Sequence, residues 1–365
     1  MPISAVDSIS LAVEHTKQQL FKPFRLGQWT RLALVGLLAG ELGSGGGCNG
    51  SNFRLPAHSG AAPHSAFPHL SGIDPALLGA LLAVIVIAAF AIGLIFMYIS
   101  SVMRFVLFDS ILAKECHIRA GWSSRQGQGW RYFLWKLAYL FITFACIAVL
   151  VGLPLAFAFA LGWLEQPKAH LLPLILGGII LFFVFFIFFI TLAVIFVLTK
   201  DFVVPQMALE NIGAFEGWRR LWPMIKAEIG GYAAYIGMKI ALAIAAGIVV
   251  GIATVILGLI IAIPTVGLSI LAVVTGKSAG LTWNAETITL AIVVGSVLLA
   301  AFLYLISLIS VPVIVFFPAY SIYFFAGRYR PLNAVVYPLL PSPAVVSSPS
   351  PLEPPPLPPY PEPTG

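Results

Sequence analysis

Residues 201–222 read DFVVPQMALENIGAFEGWRRLW. They separate two long apolar blocks and are one of the few parts of the chain with the chemistry of a soluble protein. Gly217-Trp218-Arg219 recurs upstream as Gly129-Trp130-Arg131, and a looser Gly27-Gln28-Trp29-Thr30-Arg31 stands near the N-terminus. Each copy lies just before an apolar run. This connector is therefore read as the unit from which the protein is built.

The surrounding composition decides the class. Of 365 residues 60% are hydrophobic and only 9% are charged, against roughly 25% charged in a soluble domain. The chain is an all-α integral membrane protein on this basis, because a helix satisfies its own backbone polar groups in lipid. The cysteines Cys48, Cys116 and Cys146 are scattered and give neither a disulfide framework nor a zinc knuckle.

Working outward, the polar leader 1–28 carries Ile9, Val13, Leu20 and Phe21 at helical spacing, with Lys17, Lys22 and Arg25 on the other side. That pattern predicts a helix lying on the membrane surface by its apolar stripe. A first apolar run, Trp29 to Gly43, covers only about 22 Å of a roughly 30 Å core. It reads as a short retained helix with Glu41 near its outer end. Residues 43–75 are rich in Gly, Ser, Pro, Asn and His and read as an outer loop. Five further segments, near 75–101, 133–164, 171–198, 230–263 and 288–325, each exceed the roughly 20 residues needed to cross. The apolar run 265–274 after Pro264 reads as an extension of the fifth crossing past a kink, or as a surface segment.

The expected architecture is thus six transmembrane helices arranged as three hairpins. The units are 7–101, 109–199 and 201–326 within a membrane domain 1–330, each preceded by a cytoplasmic interfacial helical segment. Residues 331–365 read as a Pro-rich tail, with 11 prolines in the last 25 residues, extended or disordered. With six crossings, 16 of the 20 Lys and Arg fall on one side, and only Arg54, Lys168 and Lys277 on the other. That asymmetry predicts an inner (plasma) membrane protein with both termini in the cytoplasm. It also accounts for the net charge of +6 as a topology signal and excludes nucleic acid as a partner.

Within this frame Trp29, Arg31, Trp130, Arg131, Trp218, Arg219 and Trp222 are candidate interfacial anchors. A tryptophan ring and its N–H are both satisfied among headgroups, and arginine keeps its head among phosphates. In the third unit Ile212-Gly213 breaks the lead-in, and 214–221 predicts a short amphipathic helix with Glu216 and Arg220 paired across one turn. Lys239 and Glu41 are the candidate intramembrane polar site, since charges at membrane depth mark pathways or partners.

The run Phe202-Val203-Val204-Pro205 through Glu210-Asn211-Ile212-Gly213 to Trp218-Arg219-Arg220 resembles the membrane domain attached to some bacterial glycerophosphodiester phosphodiesterases. It is similar also to stand-alone six-helix bacterial membrane proteins of unknown function. The chain has no room for the catalytic barrel of the fused enzymes and no cluster of acidic metal ligands with a paired His. The resemblance implies an accessory or structural protein and carries no catalytic residues over.

Other motifs carry less. His58, His64 and His69 with Cys48 have loose spacings for a metal site. Gly43–Gly47 and Gly276-Lys277-Ser278 lack the spacing of a phosphate loop. Asp109, Glu115, Cys116 and His117 lie close in sequence and are the residues a membrane-embedded enzyme would use. The expectation is a non-enzymatic protein without cofactor or metal, acting as scaffold or accessory factor, with the lipid bilayer and other membrane proteins as partners. The alternative is a solute or lipid conduit between the hairpins, resting on Lys239, Glu41 and the repeat.

Overall fold

The computed structural model describes residues 3–41, 75–163, 168–278 and 285–338. The loop with Cys48 and its three histidines and residues 339–365 of the Pro-rich tail lie outside the described residues, whereas the start of that tail, 331–336, is not extended but helical, as part of α11. Among the described residues the regular structure is helical, in the order α1 (Asp7–Phe21), α2 (Leu26–Ala39), α3 (Pro75–Leu112), α4 (Ile118–Ala160) and α5 (Leu171–Leu198). A π-helical turn (Thr199–Val203) follows. Then come α6 (Val204–Glu210), α7 (Ala214–Ala227), α8 (Ile229–Ser278), α9 (Ala285–Ile309), α10 (Val311–Ala326) and α11 (Arg330–Val336).

Five helical segments are long and apolar enough to cross a membrane, so the protein is a multi-pass membrane protein. They run 34 to 43 residues, or about 50–65 Å, well beyond a 30 Å hydrocarbon core. The surplus length has one destination. The C-terminal ends of α3 and α5, the N-terminal ends of α4 and α8, and α10 with the last turns of α9 converge with α1, α2, α6, α7 and α11 in a single packed base. The remainder of each long helix projects from it as an apolar arm. In four of the five the most apolar stretch has no buried residue at all. The run 265–274 belongs to α8, which continues through Pro264.

Local chemistry explains how the base closes. On α4, Gly121 and Gly129 share one stripe, and a Cβ on Gly129 would stand 2.4 Å from Val102 Cγ2 of α3. The missing side chains let the two helices approach closely. Between the glycines Arg125 clamps Asp109 through Nε at 2.6 Å and Nη2 at 2.7 Å. Gly217 of α7 sits in the same way on Val203, with 2.7 Å to Cγ1. The glycines of the two closest Gly-Trp-Arg copies therefore share a packing reason. Gly27 does not share it and faces open space.

Two finer points emerge at this level. The face of α1 that packs carries Ser8, Ala12, His15, Thr16, Gln19 and Leu20, so of the apolar stripe Leu20 is buried whereas Val13 and Phe21 stay half exposed. Small side chains at these positions let α1 lie close against α10, and Ser8 and Thr16 satisfy their hydroxyls on the carbonyls of Ser4 and Ala12. His15 and Gln19 reach the C-terminal end of α3, at Ile111 O (3.1 Å) and Ser110 O (3.0 Å). Hydrogen bonding and close backbone approach outweighed area burial here. Glu41, in turn, follows the end of α2 and is buried. The helix α2 has 14 residues, about 21 Å, stops at left-handed Gly40, and lies along α3, which puts Glu41 in the interior of the base.

Candidate functional site

Glu41 is 3% exposed and gathers two cations. Arg104 of α3 donates from Nη1 to Glu41 Oε1 at 2.6 Å and from Nη2 to Ala39 O at 2.6 Å. Lys200 of the π-helical turn donates to Glu41 Oε2. The next residue, Asp201, turns to another pair of donors, the Lys239 ammonium and the Tyr235 hydroxyl of α8, the latter at 2.9 Å. Five charged side chains from α2, α3, the π-helical turn and α8 thus form one buried assembly. Its three cations face two carboxylates.

The π-helical turn makes the centre possible. Pro205 has no N–H to return to the preceding turn, and the N–H of Val204 reaches back five residues to Thr199 O. The wider turn buries Lys200, Asp201 and Phe202 together, although adjacent positions of a regular helix diverge by about 100°. Such bulges are frequent at functional sites. Aromatic rings wall the assembly. Phe202 touches Tyr235 (5.0 Å between centroids) and Phe325 (5.1 Å), and Tyr235 stacks on Tyr320 at 5.1 Å.

A cavity of about 30 Å³ opens beside the charges, lined by Glu41, Arg104, Lys200, Asp201, Pro205, Pro318 and Ser321 among others. That is room for a water or two. Arg104 Nε is buried beside it without a protein partner, and so are the hydroxyls of Tyr132 and Tyr320 elsewhere in the base.

Both residues singled out as intramembrane charges, Lys239 and Glu41, therefore fall in one assembly, bridged by Lys200 and Asp201. Arg104 and Lys200 fall among the basic residues whose asymmetry predicts topology, and Asp201 opens the third unit. The available signal was the adjacent Lys-Asp pair set between a 28-residue apolar helix and Phe202-Val203-Val204. The anchor residues are not brought together. Trp29 and Trp218 use their indole N–H inside the protein, on Leu20 O (3.0 Å) and Thr199 Oγ1 (2.9 Å). Trp130 and Trp222 are half exposed. Arg31 reaches Cys116 O at 3.4 Å, Arg131 donates to Asn211 O at 2.6 Å, and Arg219 pairs with Glu216 on the surface. Glu216 also pairs with Arg220 at 3.1 Å, as its spacing predicts.

The chain belongs to a family of unknown function (DUF7544), matched over residues 3–335. No curated protein and no solved structure matches it. The span shared with the family runs from the start of α1 to α11 and encloses every member of the buried assembly. It encloses also Asp109, Glu115, Cys116 and His117, of which the last three line one pocket while Asp109 is engaged elsewhere. Asp109 is held by Arg125, Cys116 is buried with its thiol pushed up by desolvation, and His117 stands 4.0 Å from Glu115 at the surface. Among the described residues no three His, Cys, Asp or Glu side chains converge as a metal site.

Chemically, the assembly can lock. Taking a carboxylate from water into such a site costs several kcal/mol unless it is paired and hydrogen-bonded. Each carboxylate here has two donors from other elements. The assembly fastens α2, α3, α5 and α8 to one another at the level where the arms leave the base.

Proposed function

We propose that the protein is a non-enzymatic, multi-pass protein of the bacterial inner membrane that scaffolds or assists other membrane proteins. One observation carries this reading: the charges of the membrane-proximal centre are satisfied by one another. Glu41 takes Arg104 and Lys200, and Asp201 takes Lys239 and Tyr235. Such a centre holds helices in register and leaves the long apolar arms to face lipid or partner helices. The likeness of the 202–220 stretch to membrane domains attached to glycerophosphodiester phosphodiesterases supports the same reading, since such a domain serves a partner.

The finer architecture belongs to this proposal. Six crossings follow if α2 crosses as well and forms a first hairpin with α3, with three units each led by a Gly/Trp/Arg connector. The Lys and Arg asymmetry supports placing the base and both termini on the cytoplasmic side. The test is crosslinking in intact membranes followed by mild-detergent purification. Reproducible recovery of the same membrane protein supports the proposal, and repeated recovery of none contradicts it.

A second reading, a solute conduit, is favoured by the π-helical turn beside the small cavity and by the buried Arg104 Nε without a partner. It requires flux in proteoliposomes that Lys239→Leu abolishes. The scaffold reading predicts no flux in either protein.

A further inference from the structure

Among the described residues a much larger cavity adjoins the charged assembly at Glu41. It is a groove of about 990 Å³ between α2, α8, α9 and α10, with Leu34, Leu37, Val250, Gly251, Ala300 and Leu303 in its mostly apolar wall. That volume lies at the upper end of the roughly 300–1,000 Å³ typical of ligand sites. Along α2 it is the exposed stripe Arg31, Leu34 and Leu37 that faces it, with the half-exposed leucines giving an apolar track. Glu41 also borders the groove, but its carboxylate is held by Arg104 and Lys200.

One residue connects this groove to a different chemistry. Arg31 lines it and also lines two further pockets beside it, of about 240 Å³ and 650 Å³. Those pockets are bordered by Arg25, His117 and Arg119, with Glu115 as the single carboxylate. Arg31 itself is exposed and holds one long bond, to Cys116 O at 3.4 Å. Phe24 and Leu26 stand exposed nearby in sequence, and Trp29 packs against Phe21 and Phe24, an aromatic and apolar rim of the kind found at headgroup level. An apolar track that ends at a basic mouth matches an amphiphile with a negative head.

We infer that this groove binds one anionic phospholipid, with acyl chain along α2, α8 and α9 and phosphate at Arg31. Charge complementarity selects the occupant, because three arginines against one glutamate favour a net negative headgroup over a zwitterionic one. The inference stands apart from the scaffold proposal, since it needs no protein partner.

The test offers the full-length protein, in detergent, to vesicles of equal phosphatidylglycerol and phosphatidylcholine, and counts retained lipid by native mass spectrometry. The wild type should retain phosphatidylglycerol preferentially. Arg31→Gln should lower that retention roughly fivefold, the effect of one basic contact at a membrane surface, and Arg31→Lys should restore most of it. Gly251 has nothing within 4 Å of a Cβ position, so Gly251→Phe should fill the groove and abolish retention without lowering the melting temperature. If Gly251→Phe fails to fold, the Arg31→Gln and Arg31→Lys pair decides alone. Equal retention of the two lipids, retention that survives Arg31→Gln, or displacement by inorganic phosphate would overturn the inference.

Discussion

The base and the arms are made of the same helices yet obey different rules. In the base, α3 from 101 to 111 is almost wholly buried, with Val102, Phe105 and Ile111 at 0% exposure. One arm earlier on the same helix, Val84, Ile85, Val86 and Ile87 are all more than half exposed. Both stretches are apolar, so burial does not follow hydrophobicity. It follows the places where polar groups need partners and where glycine lets backbones meet. Lipid is as apolar as a leucine face and offers an arm no gain from folding against its neighbour. A buried Glu41, Asp201 or Lys239 has no such indifference, and the helices that carry their partners are drawn together.

The comparison is broken most severely by unpairing the centre. Glu41→Leu removes the carboxylate that both Arg104 and Lys200 address, and should destabilise the base by about 3–5 kcal/mol. Thermal unfolding in detergent would register this as a large fall in midpoint.

A steric change separates the two regions more gently. Gly129→Leu must displace Val102 and should destabilise by about 1–3 kcal/mol. Gly178→Leu in the α5 arm, where nothing lies within 4 Å, should change the midpoint little. The two variants in one unfolding series test whether close packing is confined to the base.

Smaller again is the contribution of His15, whose ring bonds Tyr323 Oη at 3.0 Å and Ile111 O. Burial, then the nearby Lys114 charge, lowers its pKa below the ordinary 6.5. The folded state therefore holds the ring neutral while the unfolded chain binds a proton more readily. The stability it confers is present above pH 6.5 and declines as pH falls through that value. A midpoint-against-pH curve should bend downward there, and His15→Gln should flatten the bend. The smallest effect is expected for Phe183→Leu in the α5 arm, within about 0.5 kcal/mol of wild type, by the same unfolding assay.

Much of this was legible in the sequence, and for physical reasons. Charge depletion and run length give a helical membrane protein. Ile212-Gly213 and the Glu216–Arg220 spacing give the start of α7, which runs on past 221 through Pro223 to Ala227. Lys239 and Glu41 stand out because a charge within an apolar run needs a partner. What the sequence hides is which partner. Lys200 and Asp201 close an apolar run and read as a membrane boundary, and only the π-helical turn reveals that both face inward. Glu41 finds Arg104 because α2 lies along α3, a tertiary fact that no local pattern contains. The packed face of α1 is hidden for a related reason. Ser8, Thr16 and Gln19 look solvent-facing until the helix they bond or pack against is in place.

The central claim is that reciprocal pairing of buried charges, and not apolar area, defines the base. A double-mutant cycle on Asp201 and Lys239 tests it most directly, with unfolding free energies measured for Asp201→Leu, Lys239→Leu and the double variant. Each single change strands a buried charge, while the double change strands neither. The account predicts that both single variants lose about 3 kcal/mol or more and that the double variant recovers most of the loss. Additive losses in the double variant would contradict it.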